Sequence, residues 1–555
     1  MNGSSLPPLG DSVIGMNKSS YLLGFLAFLL LGSAQPSAQS AERLNAPPMG
    51  WNTWNAYGCD IDENKIKIQA EAMVKNGMLE VSYQYVVMDD CWAAKTRDPQ
   101  GNLQADPQKF PGGLKALADH IHALGLKFGM YSSRGTKTCA GYPASQDFEQ
   151  QDVLQLERWG ADYLKYDNCY TSLDEQKQYQ TMRSALSGLR HPITLSVCSW
   201  WFRPWIPGIG DLWRTTYDIL DVWDSQALPS SNGNQSVMSI ADTNNLYASY
   251  ARPGRYNDPD MLMVGNHGKG GLGGPGMNDL EYRSHFGLWA IMSAPLMAGN
   301  QLDGMDAITL ETLTNPEVIA VNQSASDSPD HTQGVRVRRH QTSEVWAKPL
   351  LDGSIAVLLL NRADQAADLQ VNWSDLGLLE TGVNVRDLWR RQDLGVFDAG
   401  FTAQSIPAHG SVMLRLRGTK LPLETTTVIR LEAESSSNTL TEPAMIKKCA
   451  KCSGGALVGN IRGPGSITFN EVFVSRTGSV PVTVYFSNIS TDALLKITTG
   501  AGANSFVRVH SSGDEPVTGL RVNLELEGGE NTITFSLPGW KAPGIDRIRY
   551  ETGKR

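Results

Sequence analysis

Positive charge is scarce in this chain. Its 48 Lys and Arg against 57 Asp and Glu leave a formal net charge of -9, the isoelectric point lies near 5.6, and no basic cluster interrupts the pattern. A polyanion finds nothing to hold, which excludes nucleic acid as a partner. Long apolar runs are missing as well. The one at residues 22–31 falls short of the roughly 20 residues that a bilayer-spanning helix needs, and no other run comes nearer, so the mature chain is expected to have no membrane anchor. Histidine and cysteine number nine and seven in 555 residues. His120 and His122 fall on predicted helix faces away from the cysteines, which leaves no metal-ligand spacing.

The amino terminus points out of the cell. The apolar run at residues 22–31 follows Lys18 and precedes Gly32-Ser33-Ala34 and Ala38-Gln39-Ser40, the layout of a secretory signal peptide, with Met16 where such a peptide would begin. Residues 1–41 are therefore read as a signal-peptide region, with the mature chain starting between residues 35 and 46. The expected location is secreted, extracellular or periplasmic. Seven cysteines accord with an oxidising compartment. Cys59, Cys91, Cys139 and Cys169 each lie just past a predicted strand, so pairing across one barrel mouth is open to them. Cys449 and Cys452, in a glycine-rich loop, read as a pair, and Cys198 is left as a buried thiol.

The stretch Tyr163-Leu164-Lys165-Tyr166-Asp167 is an apolar, aromatic run that ends in a carboxylate and, two residues on, Cys169. It reads as a buried strand delivering chemistry at its tip. Just upstream, residues 147–160 read as a helix with Phe148, Val153, Leu154, Leu156 and Trp159 largely on one side and Gly160 as the stop. Such pairs recur from residue 47 to 323 at a pitch of roughly 35 residues. Strands are expected at residues 50–54, 85–90, 127–132, 163–167, 193–198, 213–218, 255–260 and 291–296, and helices at, for example, 62–78 and 113–124. The fold class is thus α/β, a (β/α)8 TIM barrel over residues 46–325. Alternating strands at 335–339, 344–348, 355–361, 367–372 and 411–417 predict an antiparallel β-sandwich over 326–418. A linker at 419–427 leads to a second β-sandwich at 428–555, acidic, glycine-rich and separate enough to be a binding module.

Trp54, Asp89, Asp90, Tyr131, Lys165, Asp167, Arg214, Asp218, Asp258 and Asp260 all fall at or just past predicted strand ends. Any one acid there could cap a helix. Acids, aromatics and two cations gathered at the carboxyl ends of barrel strands instead mark an active site. The mixture suits a sugar: rings such as Trp54 and Trp200 cover C–H faces, while carboxylates and Lys165 fix hydroxyls. Cleaving a glycosidic bond needs two further carboxyls, and Asp167 and Asp218 are the pair. Lys165, beside Asp167, is expected to hold it ionised. Asp218 has to begin the cycle protonated, which calls for a raised pKa.

Pro48-Met49-Gly50-Trp51-Asn52-Thr53-Trp54, Met88-Asp89-Asp90-Cys91-Trp92, Lys109-Phe110-Pro111-Gly112-Gly113, Gly135 through Pro143, Tyr163 through Cys169 and Asn257-Asp258-Pro259-Asp260-Met261-Leu262, in that order, resemble the α-galactosidases (melibiases) of glycoside hydrolase family 27. The resemblance covers residues 46 to 418. It implies a retaining exo-α-galactosidase with Asp167 as nucleophile and Asp218 as acid/base, their carboxyls about 5 to 5.5 Å apart. It also implies that Asp89 and Asp90 hold the O4 and O6 side of galactose, Lys165 the O3/O4 edge and Arg214 the O2/O3 side, with Trp54, Tyr131 and Asp260 lining the pocket. No cofactor takes part in catalysis, and the disulfides correspond to Cys59–Cys91 and Cys139–Cys169. The sequence departs from the family at Cys198-Ser199-Trp200-Trp201-Phe202, unusually aromatic where the chain faces the sugar's 2-position. Ser199 there resembles the sibling α-N-acetylgalactosaminidases, but Trp201 and Phe202 would crowd an acetamido group. Intact Asp89-Asp90 argues for galactose over the β-L-arabinopyranose of other siblings. The partners implied are α-galactoside oligosaccharides or polysaccharides, and a non-catalytic galactose-binding lectin is the alternative of another class.

The last block resembles family 35 or family 6 carbohydrate-binding modules, through Leu431-Glu432-Ala433-Glu434, Cys452 through Gly459, Gly465 through Phe469 and Ala542 through Ile548. In such modules acids hold a structural Ca2+, here Glu432, Glu434 and Asp546, and hard oxygen ligands suit that ion. The plain alternative is that these acids only solvate strand ends. Trp540 could stack on a sugar or sit in the core. Asn234, Asn322, Asn372 and Asn488 each begin an N-x-S sequon.

Overall fold

A computed structural model describes residues 44–553, apart from 226–234, 271–274, 325–331, 423, 488–491, 501, 511–516 and 538–542. The signal-peptide region, the sequons at Asn234 and Asn488 and Trp540 lie outside the described residues. No helix among those described is long and apolar enough to cross a membrane.

Eight parallel strands form the first sheet: β1 (Met49–Asn52), β2 (Tyr85–Val87), β3 (Lys127–Ser133), β4 (Tyr163–Asp167), β5 (Thr194–Val197), β6 (Leu212–Arg214), β7 (Tyr256–Asp258) and β8 (Leu296–Ala298). They pair in sequence order from β1 to β7, and β8 lies against β1. The ring closes where Leu262, just past β7, bridges Ala298 of β8. This is the (β/α)8 barrel that the alternating pattern predicts. Its strands are short and buried on both faces, which is why they read as apolar runs without alternation.

Two boundaries and one helix face differ from the sequence reading. Sequence pattern places a strand at 213–218, but β6 ends at Arg214, so Asp218 stands on the loop beyond it. The eighth strand begins at Leu296. Residue 291 instead ends the helix Asp279–Ile291, whose ten buried residues surround it on most sides. A helix buried nearly all round imitates a buried strand. Leu154 also leaves the helix stripe, facing solvent at 37% exposure.

An antiparallel sheet of six strands follows, in the order Gln392–Phe397, Val383–Asp387, Ser411–Arg417, Ile355–Asn361, Ser343–Pro349 and Val335–His340, with a two-stranded sheet, Ala367–Asn372 and Gly400–Ile406, over it. Five of these eight strands are legible in sequence. Val383–Asp387, Gln392–Phe397 and Gly400–Ile406 are not, the last two being largely exposed and interrupted by Gly, Asp or Gln. Buried Lys348 locks this sandwich to the barrel, donating to the carbonyls of Val321 at 2.6 Å and Ser324 at 2.8 Å, at the end of the helix Pro316–Gln323. An amine donor at a helix C-terminus satisfies the carbonyls left without intrahelical donors, and burial pushes the pKa of Lys348 down to about 7. The Asn322 amide is likewise buried, donating to Trp289 and Ala294 carbonyls, so that sequon offers no glycosylation site.

The last block is a second β-sandwich, with sheets of six and five antiparallel strands. Phe469 and Phe535, edge to face with centroids 5.8 Å apart, help to fill its core.

Candidate active site

The side chains at the carboxyl ends of the barrel strands surround a cavity of about 530 Å³, within the usual range for a small-ligand site. Trp54, Asp89, Asp90, Tyr131, Lys165, Asp167, Trp200, Asp218 and Asp260 line it, as do Asn55, Cys139, Cys169, Trp201, Tyr217, Met261 and Arg508.

Strand alternation explains the floor. Leu164 and Tyr166 are fully buried, while Lys165 and Asp167, two apart on β4, turn into the barrel. Lys165 is in register with Tyr131 on β3, and its ammonium lies 5.4 Å from that ring. Gly135 crosses so close to the end of β4 that a Cβ there would sit 1.9 Å from the Cys169 carbonyl. That approach brings the Cys139–Cys169 disulfide over the strand tip, with Cys139 Sγ 3.4 Å from an Asp167 oxygen. Cys59–Cys91 and Cys449–Cys452 are also bonded, and Cys198 is a buried free thiol.

Asp167 accepts three hydrogen bonds. Tyr131 donates its hydroxyl to Oδ2 at 2.9 Å, and Oδ1 takes Trp200 Nε1 at 2.9 Å and the Asn168 backbone N–H at 2.8 Å. Such donors favour the ionised form. Burial pushes the other way and prevails: the carboxyl is raised above the ordinary aspartate value, with Lys165 pulling it down and Asp218 adding to the rise. Lys165 does pull Asp167 down through its charge, as expected, but the direct ion pair that it forms is with another acid. Lys165 Nζ lies 2.8 Å from Asp89 Oδ2. Burial works against the Lys165 charge, but the surrounding acids, Asp89 foremost, outweigh it and hold the ammonium charged.

Asp89 also accepts from Asn52 Nδ2 at 2.8 Å, and Asp90 accepts from the backbone N–H of Ala140 at 2.9 Å and of Cys91 at 2.7 Å. Both acids are thus held rigidly, which suits the gripping of adjacent hydroxyls in fixed directions.

Asp218 is positioned from behind. Arg214, 2% exposed, donates through Nη1 to Asp218 Oδ1 at 3.1 Å and sets Nη2 2.9 Å from Asp260 Oδ2. Asp260 in turn accepts from the Ile219 backbone N–H at 2.8 Å, one residue past Asp218. Asp218 itself stays 43% exposed at the mouth, where a proton donor to a departing group belongs.

The structure therefore gathers nine of the sequence-predicted residues and sets two aside. Arg214 does not line the cavity; it is the buried cation behind Asp218 and Asp260. Ser199 does not face it either, being fully buried with its hydroxyl donated to the Trp201 carbonyl at 2.7 Å. Phe202 points away and stacks on Tyr247, centroids 4.3 Å apart, so only Trp201 of the two expected aromatics can crowd a substituent. Trp200 takes a second part by donating to Asp167, from a left-handed backbone at φ 68°. Tyr217 and Met261 escaped sequence reasoning although they adjoin Asp218 and Asp260. Arg508 carried no local signal, since it comes from the C-terminal sandwich.

Among the described residues one group of His, Cys, Asp or Glu has ligand atoms within 4.8 Å of one another: Cys139, Asp167 and Cys169. Its thiols form a disulfide, so it offers no metal site. Glu432, Glu434 and Asp546 are not drawn to that spacing. Each nevertheless has a buried carboxylate oxygen without a hydrogen-bond partner, and Asp546 is wholly buried. A Cβ on Gly454, at φ 65°, would lie 2.0 Å from a Glu434 oxygen, so the loop closes tightly over these acids. Burial raises Glu434 and Asp546 above the ordinary carboxylate range, with Glu432 adding to both, while Arg547, paired with one Asp546 oxygen, pulls Asp546 back down. Orphaned oxygens and like charges in a tight cradle fit an oxygen-seeking cation.

Comparison with known proteins gives a consistent result. The profile of the alpha galactosidase A family matches residues 46–324, and that of the alpha galactosidase C-terminal beta sandwich domain matches 340–416. An alpha-galactosidase of Cyamopsis tetragonoloba is 44% identical over 373 residues, spanning 66% of this chain and 85% of that protein. Alpha-galactosidase I from Mortierella vinacea superposes with a TM-score of 0.64 at 36% identity, covering 69% of this chain and 99% of that one. The Saccharomyces cerevisiae alpha-galactosidase with raffinose gives 0.61 at 27% identity, covering 67% and 98%.

Proposed function

The chain belongs to the alpha galactosidase A family, and from that premise we propose that it is a secreted, retaining exo-glycosidase releasing terminal α-D-galactosyl residues from galacto-oligosaccharides or galactomannan. The observation that carries this reading is the confrontation of Asp167, from the tip of β4, and Asp218, from the loop after β6, in one sugar-sized cavity. An Asp167 oxygen attacks the anomeric carbon while Asp218 gives its proton to the glycosidic oxygen, releasing the leaving group and forming a galactosyl ester. Asp218, now a base, takes a proton from water as that water displaces Asp167, and two inversions return the α-anomer. Asp89, Asp90 and Lys165 are the hydroxyl-binding groups, and Trp54 and Trp200 the apolar walls. Three disulfides support an oxidising location.

A substrate panel tests the reading. Aryl α-galactoside should be cleaved at least about 100-fold better than aryl α-N-acetylgalactosaminide, because Trp201 stands beside the pocket, and a polar substituent displaced against it goes unpaired. It should also exceed aryl β-L-arabinopyranoside, which leaves Asp89 and Asp90 without a 6-hydroxyl. Proton NMR should show the α-anomer first. A β-anomer first would end the retaining mechanism, and binding of galactose without turnover of any substrate would favour a lectin.

In the C-terminal module Glu432, Glu434 and Asp546 are proposed to hold a structural Ca2+, supplying charge neutralisation and no catalytic step. Binding at about 100 times Kd stabilises a fold by about 2.7 kcal/mol. The full-length protein is therefore expected to lose several degrees of Tm in EDTA, to regain them with CaCl2 but not MgCl2, and to lose the calcium response in Asp546→Asn. A melting curve indifferent to chelation would dismiss the ion.

A further inference from the structure

We propose that the C-terminal sandwich supplies part of the active site itself: Arg508 forms, with Trp201 and Tyr217, the subsite that binds the leaving-group sugar. The proposal rests on the hydrolase reading above and goes beyond it, by naming what holds the half of the substrate that departs.

Arg508 lies on the strand Asn504–Val509, some 290 residues from Asp218, yet both line the same cavity. Its guanidinium sits 4.7 Å from the Trp201 ring centroid, and that indole also carries Arg203, of the barrel, at 4.8 Å. Asp492, of the sandwich, ties the two cations together: it meets Arg203 Nη2 at 3.1 Å, Arg508 Nη1 at 3.7 Å and His510 Nδ1 at 2.7 Å. The placement of Arg508 is therefore built from both domains. At 3.7 Å the Asp492 contact is a charge contact longer than a hydrogen bond, which leaves guanidinium N–H groups to donate into the cavity.

Position assigns the ligand. The galactosyl ring must lie on the floor, within reach of Asp167, Lys165, Asp89 and Asp90. The glycosidic oxygen must face Asp218 at the mouth, and whatever is attached beyond it lies outward of Asp218. The same cavity is lined by Tyr217, the residue next to Asp218, with its ring stacked 6.0 Å from Trp200, and by Trp201, 5.4 Å from Tyr217. Rings with a fixed guanidinium match a neutral sugar, which offers C–H faces to aromatics and hydroxyls as acceptors to Arg. The chemical class is a hexosyl leaving group, as in an α-1,6-galactosyl disaccharide.

The test compares two substrates on the full-length protein. Melibiose places a hexose in the proposed subsite; α-galactosyl fluoride has a leaving group too small to reach Arg508. Arg508→Ala is expected to lower the melibiose-to-fluoride ratio of kcat/KM about tenfold, chiefly through KM, the size of one charged hydrogen bond lost. Arg508→Lys should restore part of it, and Arg508→Gln little. An unchanged ratio in the alanine variant, or an equal fall with both substrates, would overturn the proposal, the latter making Arg508 a mere prop for the Trp200-Trp201 loop. Wild-type protein that leaves the fluoride intact would instead remove the hydrolase reading, and the subsite with it.

Discussion

Asp167→Gly is expected to lower kcat/KM for an aryl α-galactoside by at least about 10⁴, since loss of a nucleophile leaves only positioning and the acid. The truncation vacates the space beneath the anomeric carbon, and azide should then restore turnover by attacking from that side to give β-galactosyl azide. Asp218→Gly makes the complementary case. Its losses should be small for the fluoride, which needs little protonation, and large for melibiose, and azide should yield the α-linked product because the Asp167 ester forms first. If the two variants gave the same azide anomer, the roles of the carboxyls would have to be redrawn. The pH profile carries a related signature. Burial raises Asp167 above the ordinary value of 3.8, and only the ionised form attacks. As pH falls through that raised value the carboxylate takes up a proton and kcat/KM drops, so the acid limb should lie above the ordinary aspartate range. Stability runs the opposite way: a folded-state pKa above the unfolded one means that this group opposes folding less as pH falls through the same window.

The floor of the cavity was legible in sequence because it is local. β4 carries Lys165 and Asp167 two apart, and alternation alone aims both inward. Asp89 and Asp90 likewise follow their strand directly. What sequence did not disclose is how these charges pair. Lys165 could reach Asp167 on its own strand or Asp89 across the barrel, and only the packed distance of 2.8 Å selects Asp89. Arg214 is a second case: a cation in a binding motif reads as a ligand contact, and sequence alone did not disclose that its 2% exposure also makes it the buried support of two acids. Ser199 was read by analogy of position, but a hydroxyl that finds a backbone acceptor two residues away turns from the cavity. Arg508 marks the limit, since a residue delivered from another domain leaves no periodicity or motif near the residues it joins.

Arg336→Met is expected to cost the full-length protein about 3–5 kcal/mol, the size of removing one partner from a buried ionic network. Arg336 is 6% exposed at the junction of three domains: it pairs with Asp242 of the barrel helix Val237–Leu246, with Glu344 of the middle sandwich at 2.9 Å and with Glu525 of the C-terminal sandwich at 2.5 Å. Arg362 adds contacts to Asp242 at 3.0 Å and Glu344 at 2.9 Å. Burial pushes both acids up, but Arg336 and then Arg362 outweigh it and hold Asp242 and Glu344 below their ordinary ranges. Groups with depressed folded-state pKa values stabilise above the unfolded value, and the benefit disappears as pH falls through the folded one. The penalty of the substitution should therefore be greatest near neutrality and shrink only below about pH 4, as the acids pass from their unfolded toward their depressed folded values, readable from urea denaturation at pH 7 and about pH 2.5. A loss below about 1 kcal/mol at pH 7 would mean that the network behaves as a surface ion pair. Because Glu525 belongs to the domain that also carries Arg508, loosening this junction should weaken melibiose turnover more than that of the fluoride. Rigid docking of the last sandwich would then be a condition of the leaving-group site as well as of the fold.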